Sequence, residues 1–116
     1  MTNYIEKPWG YEQVLSSRYV DIDDEDPVIV KNLVLFESHG TSLQYHVKRS
    51  EIWKVLSGKC RIQVGDSINT AFPGTVWEIP RLVKHRITAI TDTVIEETSD
   101  KYDEKDITRL EDPYGR

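Results

Sequence analysis

The sequence predicts an all-β domain, and three observations carry that expectation. Apolar and polar residues alternate over most of the stretch from residue 11 to residue 98, the two-residue period of a half-buried strand. No long segment carries the apolar stripe of an amphipathic helix. The short apolar runs are separated by regular turn signals, as in a β-sandwich or a closed barrel.

Taken in order, Tyr11 to Leu15 and Tyr19 to Ile22 read as the first strands. The acidic run Asp21-Ile22-Asp23-Asp24-Glu25-Asp26, ended by Pro27, is expected as a solvated hairpin loop, because a block of like charges resists burial. Val28 to Phe36, Leu43 to His46, Glu51 to Leu56, Cys60 to Val64 and Ser67 to Thr70 follow as strands, then Val76 to Ile79, His85 to Ala89 and Thr93 to Glu97. Ser57-Gly58-Lys59, Gly65-Asp66 and Pro73-Gly74 each supply a residue that tolerates positive φ or presets it, so each is expected as a tight connection. Beyond Ser99 the chain is polar and charged, with room for one helical turn around Glu104 to Leu110. That tail is expected either as a lid packed on the rest or as a frayed end.

With 116 residues the chain can bury one modest core, so residues 1–116 are read as a single domain. Fifteen Lys and Arg stand against 20 Asp and Glu, a formal net charge of −5. That balance argues against a nucleic-acid partner or an anionic membrane surface. Cys60 is the only cysteine, which forbids an internal disulfide and favours the cytoplasm. It reads as a small apolar strand residue rather than a nucleophile. The N-terminus lacks the basic start and apolar run of a signal peptide, and no apolar stretch is long enough to span a bilayer. Phosphate-binding glycine loops and a His-Glu-x-x-His helix are absent, which removes nucleotide and metalloprotease readings.

The residues that carry chemistry are Gln44, His46, Glu51 and His85. Gln44 and His46 lie two apart, so in a strand they project to one face, which the flanking apolar residues mark as interior. Glu51, Trp53 and Val55 have the opposite parity, so Val47-Lys48-Arg49 must turn the chain between them. His85 follows the proline-led stretch Ile79-Pro80-Arg81-Leu82-Val83-Lys84, which can return its ring to the interior at the start of a strand. Two imidazoles, a carboxylate and an amide oxygen suit a borderline divalent cation such as Zn²⁺, with Mn²⁺, Fe²⁺ or Ni²⁺ also compatible. His39, in Ser38-His39-Gly40, reads as a turn residue, and Trp9, Trp53 and Trp77 read as core aromatics.

The string Gly40-Thr41-Ser42-Leu43-Gln44-x-His46-x-x-Arg49-x-Glu51-x-Trp53-x-Val55-x-Ser57-Gly58, with Ile79-Pro80 and His85-Arg86, resembles the two cupin motifs of type II mannose-6-phosphate isomerases. That family also forms the C-terminal domain of bifunctional mannose-6-phosphate isomerase/mannose-1-phosphate guanylyltransferases. Lys7-Pro8-Trp9-Gly10-Tyr11 resembles the family's opening segment. Asp106-Ile107-x-Arg109-x-Glu111-Asp112-x-Tyr114-Gly115-Arg116 resembles its closing one, so the similarity covers nearly the whole chain. Gln44 is the distinguishing residue, since ordinary cupins more often carry His-x-His at that place.

The resemblance implies a cupin-type jelly-roll barrel with a metal on Gln44, His46, Glu51 and His85, and a phosphorylated hexose as the partner. The family interconverts mannose 6-phosphate and fructose 6-phosphate, so a metal-dependent aldose-ketose isomerase is the leading expectation. Arg49, matching the family's Arg between the His and Glu ligands, is the expected catalytic cation. Arg81, Lys84 and Arg86 are the expected phosphate-binding residues, from their proximity to His85. Departures stand beside these matches: Val47 and Lys48 replace histidines common in relatives, Pro80-Arg81-Leu82 replaces a Pro-x-Gly loop, and no guanylyltransferase region accompanies the match. The alternatives are a non-catalytic sugar-binding or regulatory cupin, or a cupin epimerase or oxygenase. Exposed sheet edges lead to an expected homodimer.

Overall fold

In a computed structural model, which describes residues 3–115, the chain folds into two antiparallel sheets. The larger holds β1 (Asn3–Lys7), β2 (Gly10–Arg18), β3 (Val28–Leu35), β10 (Thr93–Ser99), β5 (Glu51–Ser57) and β8 (Val76–Ile79), in that spatial order. The smaller runs β11 (Thr108–Glu111), β4 (Leu43–Tyr45), β9 (His85–Ala89), β6 (Cys60–Val64) and β7 (Ser67–Ala71). Among the described residues there is no helix. The sheets face each other as a cupin-type jelly-roll barrel, the arrangement that the family resemblance implies and one of the two that alternating strands and tight turns allow. Gly58, Gly65 and Gly74 take φ of 83°, 61° and 89°, as those turns require. At Gly58 a side chain is excluded outright, because a Cβ there would lie 2.1 Å from the Asp92 carbonyl oxygen.

Each central strand sends alternate residues inward, and those residues change character along the barrel. In β10 the inward positions are Ile95, Glu97 and Ser99, in β5 Val55, Trp53 and Glu51, in β9 Ala89, Ile87 and His85. The registers put these into shared layers. Ile95 faces Val55 and Leu33, Glu97 faces Trp53 and Lys31, and Ser99 faces Glu51. Across the other sheet Cys60 pairs with Ala89 and Ile62 with Ile87. One end of the barrel is therefore solid hydrocarbon, and the other carries the polar groups. Trp9 and Trp53 are buried in the core and Trp77 packs against it, as their reading as core aromatics requires. Cys60 is fully buried, and that burial pushes its thiol up to about 11, which leaves it inert as a nucleophile.

Several elements differ from the sequence expectation. Tyr19 to Ile22 is not a strand: β2 ends at Arg18, and the acidic segment forms the exposed hairpin loop to β3. The Asp24 carboxylate accepts the Asp21 N–H at 2.8 Å and the Asp21 carboxylate that of Asp23 at 3.3 Å, so side chains take donors a ladder would need. The helical turn at Glu104 to Leu110 is absent as well. Residues 108–111 instead form β11, which pairs with β4 and covers an otherwise open edge. The tail is thus packed on the barrel. Strand β1 was also missed by alternation. Arg116, the end of the closing motif, lies outside the described residues. None of the described residues forms a helix long and apolar enough to cross a membrane.

Candidate metal centre

Three elements deliver the expected donors. Strand β4 touches β9 at one pair, Gln44 opposite His85, which fixes two of the four candidates side by side. After β4 the chain turns through residues 46–50, and Asp106 from the tail holds that turn. Its carboxylate accepts the N–H groups of Val47 at 2.8 Å, Lys48 at 2.9 Å and Arg49 at 3.3 Å. The turn resets the parity, so Glu51 enters β5 facing inward. Ser99 Oγ donates to Glu51 Oε2 at 3.0 Å from the neighbouring strand.

His46, Glu51 and His85 converge, all three buried, with one ligand atom from each lying within 4.8 Å of the others. Glu51 Oε1 is 3.6 Å from His46 Nε2 and 3.2 Å from His85 Nε2. The backbone selects the imidazole tautomers. His46 Nδ1–H donates to the Asp106 carbonyl at 2.6 Å and His85 Nδ1–H to the Val83 carbonyl at 3.0 Å. A carbonyl can only accept, so each Nδ1 carries a proton; the His46 ring turns an Nε2 lone pair toward the cluster, and His85 Nε2 stands at hydrogen-bonding distance from Glu51. Between His85 Nε2 and Glu51 Oε1, 3.2 Å apart, there is room for a proton, as a hydrogen bond to the carboxylate, or for a metal ion in its place. This is the arrangement in which carbonyl-anchored imidazoles serve as metal ligands.

Charge states support that use. Burial, the largest influence, lowers His46 to about 4 against the opposing pull of Glu51, with Arg49 adding to the fall. The ring is therefore neutral and able to bind a metal near neutral pH. Glu51 is fully buried, which by itself raises its pKa, yet the His85 hydrogen bond and the Arg49 charge bring it down to about 2. It is a carboxylate at any ordinary pH.

Gln44 lines the same cavity, half-buried. Its Nε2 donates to Ser42 Oγ at 3.1 Å and to the Ser42 carbonyl at 3.4 Å, which leaves its amide oxygen as a lone-pair donor. Arg49 is buried against the cluster, with Nη2–H donating to His46 Nε2 at 3.1 Å and Nε 3.4 Å from Glu51 Oε2. That last contact is an ion pair without hydrogen-bond geometry, so among the described residues the Nε–H has no acceptor. A buried donor left open beside the ligand cluster is available to a ligand's oxygen.

The structure does not bring Arg81, Lys84 and Arg86 to this cavity. Arg81 is exposed, Lys84 pairs with Asp66 at 2.7 Å, and Arg86 pairs with Glu111 at 3.2 Å. The period of two explains Arg86: His85 and Ile87 face inward, so the residue between them faces out. His39 also lies apart, stacked on Tyr114 with its Nδ1 3.0 Å from the hydroxyl.

Sequence reasoning missed the far wall of the cavity, which has a volume of about 380 Å³. Lys31 is buried there, donating to Glu12 Oε2 at 2.9 Å and to the Tyr102 hydroxyl at 2.8 Å. Glu97 accepts the Trp53 indole N–H at 3.1 Å, and burial first, then the Glu51 charge, raises it to about 8. The available signal was charge in inward register: Lys31, Leu33 and Leu35 alternate on one face, as do Ile95 and Glu97. Asp106 had no such signal, because its role depends on a contact across 57 to 60 residues.

Comparison with known proteins places this geometry. The chain is 29% identical to mannose-1-phosphate guanylyltransferase ManC of Salmonella typhimurium, a match covering 100% of this chain and 24% of that protein. It is 33% identical to the xanthan biosynthesis protein XanB of Xanthomonas campestris, over 95% of this chain and 23% of that one. For the alginate biosynthesis protein AlgA of Pseudomonas aeruginosa the values are 32%, 95% and 22%. The chain thus spans about a quarter of the length of these curated relatives. Among solved structures, an oxalate decarboxylase from Bacillus subtilis shares the fold with a TM-score of 0.78 at 19% identity, over 94% of this chain and 30% of that one. An RmlC-like cupin from Shewanella frigidimarina gives 0.75 at 16% identity, over 90% and 87%. The family described as mannose-6-phosphate isomerase C-terminal matches residues 1–112, and the chain belongs to that family.

Proposed function

We propose that the chain is a metal-dependent aldose-ketose isomerase that interconverts mannose 6-phosphate and fructose 6-phosphate. One observation carries this reading: His46 Nε2, His85 Nε2 and Glu51 Oε1 meet at the wall of a cavity that also presents the unpaired Nε–H of Arg49. The donor set fits a divalent ion held by His46, Glu51 and His85, with the Gln44 amide oxygen as a fourth donor. When bound, such an ion supplies Lewis acidity that polarises the carbonyl and neighbouring hydroxyl of an open-chain sugar. Zn²⁺ suits two imidazoles and a carboxylate best.

The chain's own groups do the rest. Arg49 directs its Nε–H to the substrate oxygen that gains negative charge as a proton leaves the adjacent carbon, where a fixed cation in a dry site is most effective. Glu97, raised to about 8 and at the same cavity, takes a proton at one carbon and returns it at the next from its ionised form, which gains population as pH rises toward 8. Asp106 keeps His46 in the tautomer that leaves Nε2 unprotonated. Ile5, Trp9, Leu33, Trp53, Ile87 and Ile107 form the apolar part of the lining and limit water at the reacting carbons.

The test is metal analysis of the purified chain with a coupled assay of fructose 6-phosphate formation from mannose 6-phosphate. The expected result is about one metal per chain and turnover that chelation removes and added Zn²⁺ restores. Folded, metal-loaded protein without turnover would replace this reading with that of a non-catalytic metal-binding cupin.

A further inference from the structure

The cations that reach the cavity are not those adjacent to His85 in the sequence. Lys7, Lys31, Arg49, Lys105 and Arg109 line it. Two of these are committed at depth. Lys31, 3% exposed, is held by Glu12 and Tyr102, and Arg49 by His46 and Glu51. The remaining three are nearer solvent, with Lys7 half-buried and Lys105 and Arg109 exposed. Lys7 and Lys105 form no ion pair with a described residue, though Lys105 lies close enough to Asp103 to help lower its pKa. Arg109 has Asp112 at the outer limit of pairing, 4.0 Å. Glu104 is the carboxylate on the same tail, so the three cations outnumber it.

Register places Arg109 more closely than exposure does. In the β11–β4 ladder it is the partner of Gln44, and Gln44 is in turn the partner of His85. Directly paired residues project to one face with Cα atoms about 5 Å apart, so Arg109 stands one strand outward from Gln44 on the cavity side. A ligand whose carbonyl end lies at His46, Glu51 and His85 has its far end directed at this rim. A guanidinium fork flanked by two ammonium groups matches the geometry and charge of a phosphate monoester.

The geometry points to Arg109, assisted by Lys7 and Lys105, as the site that takes the phosphate group of a phosphorylated sugar in this cavity. The inference rests on the sugar-phosphate reading above, but not on turnover. It also explains why the tail is folded back as a strand: the packed segment carries the anion-binding groups.

Titration calorimetry of the metal-loaded chain with mannose 6-phosphate and with mannose tests it, using Arg109→Gln, Lys105→Gln and, as a control on the outer face, Arg61→Gln. Losing a charge-assisted fork is expected to weaken mannose 6-phosphate binding about tenfold or more in Arg109→Gln and by less in Lys105→Gln, with metal content and mannose binding unchanged. Arg61→Gln is expected to bind both sugars as the parent does. Unchanged mannose 6-phosphate affinity in both Arg109→Gln and Lys105→Gln overturns the assignment, as does a parent protein that binds mannose 6-phosphate no better than mannose. The two readings separate cleanly. Arg109-dependent binding without fructose 6-phosphate formation keeps the phosphate site and rejects the isomerase, whereas turnover with an unaltered KM in Arg109→Gln does the reverse.

Discussion

The two ends of the barrel are built from the same strands but to different standards. At the closed end, inward residues are hydrocarbon and thiol: Leu35, Val55, Cys60, Ala89 and Ile95, all 2% exposed or less. At the open end the same strands present Lys31, Glu51, His85 and Glu97, none more than 7% exposed. Hydrocarbon positions need volume and little else, so the closed end tolerates exchange at constant size. Buried charges need particular partners at particular atoms, and most of those partners come from elsewhere in the chain. The closed end accounts for stability, and the open end spends some of it on a site.

Four substitutions would break or sharpen that contrast. Glu51→Gln is expected to have the largest effect, because it removes the only carboxylate among the three converging donors. If the chain turns over as proposed, the rate should fall about a thousandfold or more, since a Lewis-acidic ion is worth several kcal/mol. Metal analysis on the folded variant checks it, and full metal content would contradict the site. Next, Ile62→Ala at the middle of the core should cost about 3 kcal/mol by denaturant unfolding while leaving the metal content of the folded protein unchanged. Asp106→Ala removes the carboxylate on the 47–49 turn but retains the backbone carbonyl on His46. Metal affinity should drop about tenfold, measured by competition with a chromogenic chelator, with stability lower by about 1–2 kcal/mol.

The last prediction concerns pH. Glu97 has its pKa raised from 4.5 to about 8, so the folded protein holds a proton that the unfolded chain releases. Its contribution is fully present below pH 4.5 and is lost as pH rises through 8. Glu97→Gln cannot ionise, so in chelator-treated protein it should melt above the parent at alkaline pH, with the gap closing toward pH 4.5. Parallel melting curves at both pH values would show that Glu97 is not held protonated. Glu51 works in the opposite sense: lowered to about 2, it stabilises above 4.5 and loses that effect as pH falls toward 2.

The same contrast governs what could be read from the sequence. Strand periodicity located β3, β5, β6, β9 and β10 within a residue or two, because each has one face on a core, and the turns at Gly65 and Gly74 bracket β7 and β8. It failed at β1 and β11, which are edge strands whose inward signal is too short; all four residues of β11 are exposed. Local spacing found His46, Glu51 and His85, since two lie near each other and the third opens a strand. It could not find Glu12, Lys31 or Asp106, whose roles exist only through distant contacts. The phosphate expectation at Arg81, Lys84 and Arg86 relied on sequence adjacency, and in a strand the residues adjacent to an inward ligand face outward.

One contact at the open end bears on kinetics. With both imidazoles anchored by backbone carbonyls, neither ring has to flip before an incoming ion meets its lone pair. Arg49 Nη2, however, sits on His46 Nε2, where that ion must bind. Loading therefore requires a guanidinium to step aside, and the association rate should track that side chain's motion rather than diffusion. The displaced arm would then be free to turn toward a ligand in the cavity, so occupancy of the centre and release of Arg49 become a single event.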